Sequence, residues 1–151
     1  MKLAMHNWMR PEPIELTIER LGRLGYDAIE ISGEPATYDV GQVKDLLAKH
    51  KVACWGAVTL MTGGRDLIHE DKYVRLGTIQ YIKDVIAMIE ALNGEILCLV
   101  PSTVGKVTAM ADPDTEWKWA VETLKEISYY AGEHKVRIGL EPLNRFETNF
   151  L

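Results

Sequence analysis

Apolar residues along this chain follow two alternating spacings. Short runs with a period of two predict five strands, at residues 3–8, 27–32, 52–59, 95–100 and 137–142. Between these runs, apolar residues recur every three or four positions, which predicts four amphipathic helices at residues 13–24, 39–49, 71–92 and 115–134. Leu76 and Trp117 fall in the apolar stripes of the two long helices. Gly25 is expected to end the first helix and Asp39 to cap the second.

This order, β-α-β-α-β-α-β-α-β, predicts a parallel sheet with right-handed crossovers, either open and doubly wound or part of a (β/α)8 barrel. No Gly-x-Gly-x-x-Gly follows the first strand, and Gly63-Gly64 lacks the Lys-Ser/Thr of a phosphate loop, so nucleotide binding is disfavoured. Polar or small residues alternate with aliphatic ones near Glu30 and Glu141, which favours a barrel whose polar set lines the mouth. We therefore expect the strands to lie in sequential order.

The length of the chain suggests part of such a barrel. About four and a half βα units fit into 151 residues, whereas a complete (β/α)8 barrel needs about 250 residues. The expectation is that residues 1–151 form the N-terminal portion of a single TIM-barrel domain.

Composition excludes several classes of protein. Hydrophobic residues make up 47% and charged residues 26%, as in an ordinary globular protein. A net charge of −5 argues against a nucleic-acid-binding protein with a basic face. No apolar run is long enough to span a membrane, and the N-terminus does not resemble a signal peptide. Cys54 and Cys98 lie in strand-like runs and are expected to be buried reduced thiols, which fits a cytoplasmic location.

Two carboxylates at the end of the chain are the main candidates for chemistry. Glu141 ends the fifth predicted strand, and Glu147 follows in a polar segment. A carboxylate at the tip of a buried strand is costly unless it is paired. A divalent cation is one partner for it, and Arg137 or Arg145 is the alternative.

The run Glu-Pro-Leu-Asn-Arg-Phe-Glu-Thr at residues 141–148 resembles the fifth-strand motif of ketose 3-epimerases, which belong to the xylose-isomerase-like superfamily of TIM barrels. Residues 25–31 are similar to the second strand of that superfamily. Residues 55–61 and 64–67 resemble its third strand and the loop that follows, and residues 116–117 with the helix after them resemble its fourth helix. The resemblance spans nearly the whole chain.

The resemblance implies a metal-dependent sugar isomerase or epimerase of the ketose 3-epimerase type, which transfers a proton through an enediolate. Glu141 matches a ligand of the divalent metal (Mn²⁺, Mg²⁺ or Co²⁺) that is also one of two acid/base glutamates. Glu147 matches a carboxylate that hydrogen-bonds the sugar, and His6 lies where relatives contact the substrate. Trp8 and Trp55 are candidates either to wall a sugar pocket or to fill the core. The other three ligands and the second glutamate come from strands six to eight in the family.

Other interpretations remain open. Glu30 is expected to point inward as a structural partner of a cation, and His50, His69 and His134 to be structural or solvated. The substrate is expected to be a sugar or sugar phosphate, and the protein a homo-oligomer that is inactive in its 151-residue form. The alternative is a non-catalytic half-barrel that self-associates. Endonuclease IV shares the barrel superfamily, but its many histidine ligands are not matched by the four histidines of this chain.

Overall fold

The computed structural model describes residues 1–150, and these form one parallel sheet with helices packed against it. The five strands are β1 (Ala4–His6), β2 (Ala28–Gly33), β3 (Ala53–Thr59), β4 (Ile96–Leu99) and β5 (Arg137–Leu140). The four helices between them are α1 (Ile14–Leu24), α2 (Val40–His50), α3 (Lys72–Ala91) and α4 (Pro113–Glu133), with a short 3-10 turn at Pro35–Thr37. Every predicted element is present. The largest difference is at β1, which is shorter than the predicted strand.

The strands lie in the order β1-β2-β3-β4-β5, and every neighbouring pair is parallel. This confirms the sequential order and excludes a doubly wound order, in which the first strand would lie inside the sheet. Each crossover carries one helix, as expected for consecutive βα units. The fold is therefore α/β, and its five parallel strands follow one another as consecutive strands of a (β/α)8 barrel do.

Local signals fix where the helices begin and end. The side chains of Asp39, Asp71 and Asp112 each accept a hydrogen bond from a backbone N–H in the first turn of the following helix. Such N-caps typically contribute about 1 kcal/mol each. Gly25 ends α1 with a φ of 75°, the left-handed conformation that glycine adopts without steric cost.

The core lies between the sheet and the helices. Ile29, Ile31, Leu97 and Leu99 are fully buried on the helix-facing side of the central strands. Their neighbours along the strands face the other side, as the period of two requires. The edge strands differ, because Met5 and Leu140 share the helix-facing side but are 41% and 44% exposed.

Two residues of the predicted apolar stripes are not buried. Leu76 is 53% exposed on α3, and Trp117 is 58% exposed on α4. Leu76 lines a shallow groove between the two helices, and the ring of Trp117 lies 6.0 Å from that of Phe150. Helical spacing identifies a face, but the sheet covers only part of that face in these first turns, so both residues stay exposed.

Candidate active site at the carboxyl ends of the strands

The face of the sheet that points away from the helices, called the inner face below, brings several of the predicted site residues together. His6 and Glu30 are register neighbours on β1 and β2, so both side chains point to the same face. Cys98 is the register partner of Gly139, and Glu141, two positions later, points the same way. The Cys98 Sγ lies 3.1 Å from Oε2 of Glu141, which places both groups on this face near the carboxyl ends of the strands.

Glu141 extends β5 beyond its last regular residue. Its backbone N–H donates to the carbonyl of Leu99 at 2.9 Å, and its Oε2 accepts from the Cys98 thiol. The alternative pairing with an arginine is not observed within residues 1–150. Arg137 instead contacts Glu95, with 3.2 Å between Nη2 and Oε2, at the opposite end of the sheet. Oε1 of Glu141 makes no hydrogen bond in the described part of the chain, which leaves it available to a ligand.

The thiol of Cys98 is a hydrogen-bond donor at neutral pH. Burial, together with the Glu141 carboxylate, raises the pKa of Cys98 to about 12. The thiol therefore keeps its proton and gives it to the carboxylate in a hydrogen bond. Both cysteines are free, as predicted, but Cys98 is only half-buried and its contact with Glu141 was not expected from the sequence.

Glu30 lies half-buried near two other ionisable groups. Burial raises its pKa, the positive charge of His6 lowers it, and the negative charge of Glu141 raises it further. No lysine or arginine forms an ion pair with Glu30 within residues 1–150. Among these lysines and arginines, the cationic partner expected from the sequence is therefore not observed.

Replacing Glu30 by glutamine is expected to stabilise the protein at neutral pH. Because the folded-state pKa is raised, the folded protein binds more protons than the unfolded chain above the ordinary value of 4.5, and wild-type stability falls as pH rises through the folded-state pKa. Glu30→Gln removes this loss. Thermal unfolding should give a higher midpoint for the variant at pH 7 and nearly equal midpoints at pH 4. The exposed Glu19→Gln is the control, and an equal advantage at both pH values would contradict the assignment.

His6 and Trp8 lie at and just after the carboxyl end of β1. Their ring centroids lie 4.7 Å apart with an interplanar angle of 22°, so the rings stack. Trp8 is 47% exposed and Trp55 is 44% exposed, so neither tryptophan fills the core. Nδ1 of His6 is buried and has no hydrogen-bond partner among the described residues.

Asn7, which lies between these two residues in the chain, is held by two side-chain hydrogen bonds. Its side-chain oxygen accepts from the backbone N–H of Ser32 at 2.8 Å, and its amide nitrogen donates to the hydroxyl of Tyr38 at 3.0 Å. The Ser32 and Tyr38 hydroxyls are also hydrogen-bonded to each other. This network joins the carboxyl ends of β1 and β2. Sequence reasoning missed it, because the residues that form it are far apart along the chain and meet only through the pairing of β1 with β2.

Glu147 occupies a more exposed position. Its Oε2 accepts from the side-chain amide of Asn144 at 2.5 Å, and its backbone carbonyl accepts from the N–H of Gly105 at 2.7 Å. No described contact joins its carboxylate to Glu141 or His6. The segment after β5 therefore carries a second carboxylate at the rim, but this carboxylate does not contact that of Glu141 in the described structure.

The other histidines lie apart from this face. His134 Nδ1 is 2.7 Å from Oε2 of Glu90, and His69 Nδ1 accepts from the backbone N–H of Asp71. These contacts agree with the structural or solvated roles expected for them. Within residues 1–150, no group of three or more His, Cys, Asp or Glu side chains is arranged to hold a metal ion. None of the described helices is long and apolar enough to cross a membrane.

The fold and the family comparison agree. The family model of the Xylose isomerase-like TIM barrel matches residues 18–151, and the chain belongs to this family. Among curated relatives, L-ribulose 3-epimerase of Methylomonas sp. (strain DH-1) is 28% identical over 131 residues, which cover 85% of this chain and 45% of that protein. The chain thus spans about half the length of the curated relatives it matches.

Two solved structures of sugar epimerases have a fold similar to that of this chain. D-Psicose 3-epimerase from Clostridium cellulolyticum H10, solved with D-tagatose, has a TM-score of 0.88 at 20% identity, covering 100% of this chain and 55% of that one. At this identity the likeness concerns the fold alone. D-Allulose 3-epimerase from Methylomonas sp., solved with D-allulose, has a TM-score of 0.85 at 25% identity, covering 99% and 54% of the two chains. The five strands described above therefore correspond to part of a barrel.

Proposed function

We propose that this chain forms part of a metal-dependent sugar epimerase of the ketose 3-epimerase type. The observation that carries the proposal is the position of Glu141, which lies on the inner face at the carboxyl rim with one oxygen held by Cys98 and the other free. Active sites of TIM barrels are built at this rim. The epimerase names of the relatives support the same reaction class.

In this proposal Glu141 moves the proton at the carbon next to the ketose carbonyl. Epimerisation there needs a base on one face of the carbon and an acid on the other, with an enediolate between the two steps. The Cys98 thiol orients the carboxylate of Glu141 through Oε2, so that Oε1 faces the substrate. The glutamate for the opposite face is proposed to come from strands six to eight of a completed barrel.

The remaining site residues bind the sugar. The exposed face of Trp8 is suited to pack on sugar C–H groups, and the stacked His6 offers a ring nitrogen to a hydroxyl. Glu147 is proposed to accept a hydrogen bond from the sugar near its carbonyl end. The segment that carries Glu147 is anchored through its backbone, and its carboxylate accepts from the side-chain amide of Asn144.

A divalent metal fits the donor chemistry of Glu141 but needs further ligands. A carboxylate is the hard ligand that Mn²⁺, Mg²⁺ and Co²⁺ prefer, and its two oxygens can divide the roles of metal ligand and base. A bound ion would supply positive charge near the oxygens of the enediolate. Because hard cations need several ligands, we propose that residues 1–150 hold one of them and that the others belong to the strands completing the barrel.

Metal titration and an activity assay test this proposal. The 151-residue chain is expected to bind Mn²⁺ weakly in calorimetry and to give no measurable ketose epimerisation. Addition of strands six to eight from a relative, fused or as a separate polypeptide, is expected to restore both properties. Micromolar binding together with turnover by the 151-residue monomer would show that the ligand set is complete and the assignment wrong.

A second candidate function is a non-catalytic half-barrel that self-associates. The exposed apolar residues at the two sheet edges favour it, because Leu3 just before β1, Met5 in β1 and Leu140 in β5 are each more than 40% exposed. Light scattering distinguishes the two candidates. A stable dimer that stays inactive after the barrel is completed would support the module, whereas metal-dependent activity would support the enzyme.

A further inference from the structure

A cluster of buried charges lies under the loops at the carboxyl rim. The Lys106 side chain is 7% exposed, and those of Asp66 and Glu116 are 2% and 3% exposed. The Lys106 ammonium lies 3.0 Å from Oδ2 of Asp66, 3.1 Å from the carbonyl of Ile68 and 3.5 Å from Oε1 of Glu116. Burial of three charges is costly, and it persists only when each charge is well paired.

The three charged residues come from separate parts of the rim. Asp66 lies in the loop between β3 and α3, Lys106 in the loop between β4 and α4, and Glu116 in the first turn of α4. Glu116 also accepts from the backbone N–H of Met110 at 2.8 Å through Oε1. The cluster therefore ties two βα loops and one helix to a single point.

The segment after β5 is attached to the same point. Oε2 of Glu116 accepts from the side-chain amide of Asn149 at 3.0 Å, and the backbone N–H of Asn149 donates to the carbonyl of Lys106 at 2.8 Å. Thr148 is 2% exposed, and its hydroxyl lies 2.7 Å from that of Ser102. Residues 147–149 are thus joined to the loop that carries Lys106.

We propose that Lys106 is a positioning residue that, with Asp66 and Glu116, fixes residues 147–149 and hence Glu147 at the rim. Within residues 1–150, the backbone of Glu147 hydrogen-bonds to Gly105 and Asn144, so its place depends on the loop that Lys106 anchors. The relevance of this position to catalysis rests on the proposed function, since only that proposal gives Glu147 a sugar to bind. The anchoring itself does not depend on it.

Hydrogen exchange on the 151-residue chain tests the anchoring. In Lys106→Met, the amides of residues 147–149 are expected to exchange at least about tenfold faster than in the wild type. The reason is that opening of this segment then no longer requires the ion pairs of Lys106 to be broken. The amides of α1 should change much less. Lys118→Met is the control, since the Lys118 side chain is 73% exposed and lies 3.9 Å from Glu122. Unchanged exchange at 147–149, or equal acceleration there and in α1, would overturn the proposal.

Variants of Glu116 separate positioning from general destabilisation. Glu116→Gln keeps one acceptor oxygen and is expected to retain more of the protection at residues 147–149 than Glu116→Ala, which keeps none. Equal protection in the two variants would overturn the proposal. If Lys106→Met fails to fold, Asn149→Ala decides instead: acceleration confined to 147–149 supports the anchoring, and no acceleration refutes it.

The Mn²⁺ titration of the completed barrel tests the proposed function, whereas hydrogen exchange tests the anchoring. A failure of the proposed function would leave the exchange results unchanged. A failure of the anchoring would leave binding of Mn²⁺ by Glu141 unchanged.

Discussion

Replacing Gly56 by alanine is expected to destabilise the sheet by about 3 kcal/mol, at the upper end of the cost of overpacking. A Cβ at this position would lie 2.0 Å from the carbonyl oxygen of Ile96 and 2.8 Å from its Cγ2. The first of these atoms belongs to the backbone of β4, so relief requires the two strands to move apart. Gly56 is also the register partner of Glu30, directly after a shift in pairing between β2 and β3.

Gly77→Ala is the matched control for this prediction. Gly77 lies within α3, and a Cβ there would meet nothing within 4 Å. Alanine in a helix is typically more favourable than glycine by about 0.5–1 kcal/mol, so this variant should be neutral or slightly more stable. Urea unfolding of both variants gives the comparison. Equal midpoints for the two would mean that the close approach of β3 and β4 does not constrain position 56.

The strand order and the helix bounds were predictable from the sequence because each depends on local chemistry. The period of two around Ile29 and Ile31 identified a strand and its buried side without knowledge of any neighbour. Aspartates before three helices and Gly25 after the first act within one turn of the backbone. Sequential βα units then leave few topologies to choose from.

The contacts that shape the candidate site were not predictable in this way. Cys98 and Glu141 are 43 residues apart, and Lys106 and Asp66 are 40 residues apart. Nothing in the local spacing of either pair distinguishes these residues from a strand cysteine or a surface charge. They meet only because parallel strands bring their carboxyl ends, and the loops that follow, to one rim. The inward side of Glu30 was predictable, but its partner was not.

Helical periodicity alone does not predict burial. Leu76 and Trp117 recur with the apolar stripes of their helices, yet both are more than 50% exposed. Residues further along the same stripes, such as Ile82 and Ile127, are fully buried. The apolar stripe is continuous in the sequence, but the sheet covers only part of it. Only the structure shows which part is covered.

Replacing Glu141 by glutamine is expected to abolish epimerisation in a barrel completed by strands six to eight, with a loss of about 10²–10⁴-fold, the contribution typical of a general acid–base group. Glutamine keeps the volume of the side chain, and its amide oxygen can still accept from the Cys98 thiol. It cannot take up the proton from the sugar carbon, and it is a weaker ligand for a hard cation. The free energy of unfolding should change by less than about 1 kcal/mol, because the side chain is only half-buried and keeps its hydrogen bond.

Glu95→Gln serves as the control because it makes the same chemical change at the opposite end of the sheet. The Glu95 and Arg137 side chains are 71% and 69% exposed, and an exposed pair of this kind contributes little. Both variants should be assayed for ketose epimerisation, Mn²⁺ affinity and urea unfolding. Loss of turnover in Glu141→Gln with wild-type unfolding, and no loss in Glu95→Gln, is the expected pattern. Full turnover in Glu141→Gln would remove Glu141 from the chemistry, since no other described carboxylate on the inner face stands at the tip of β5.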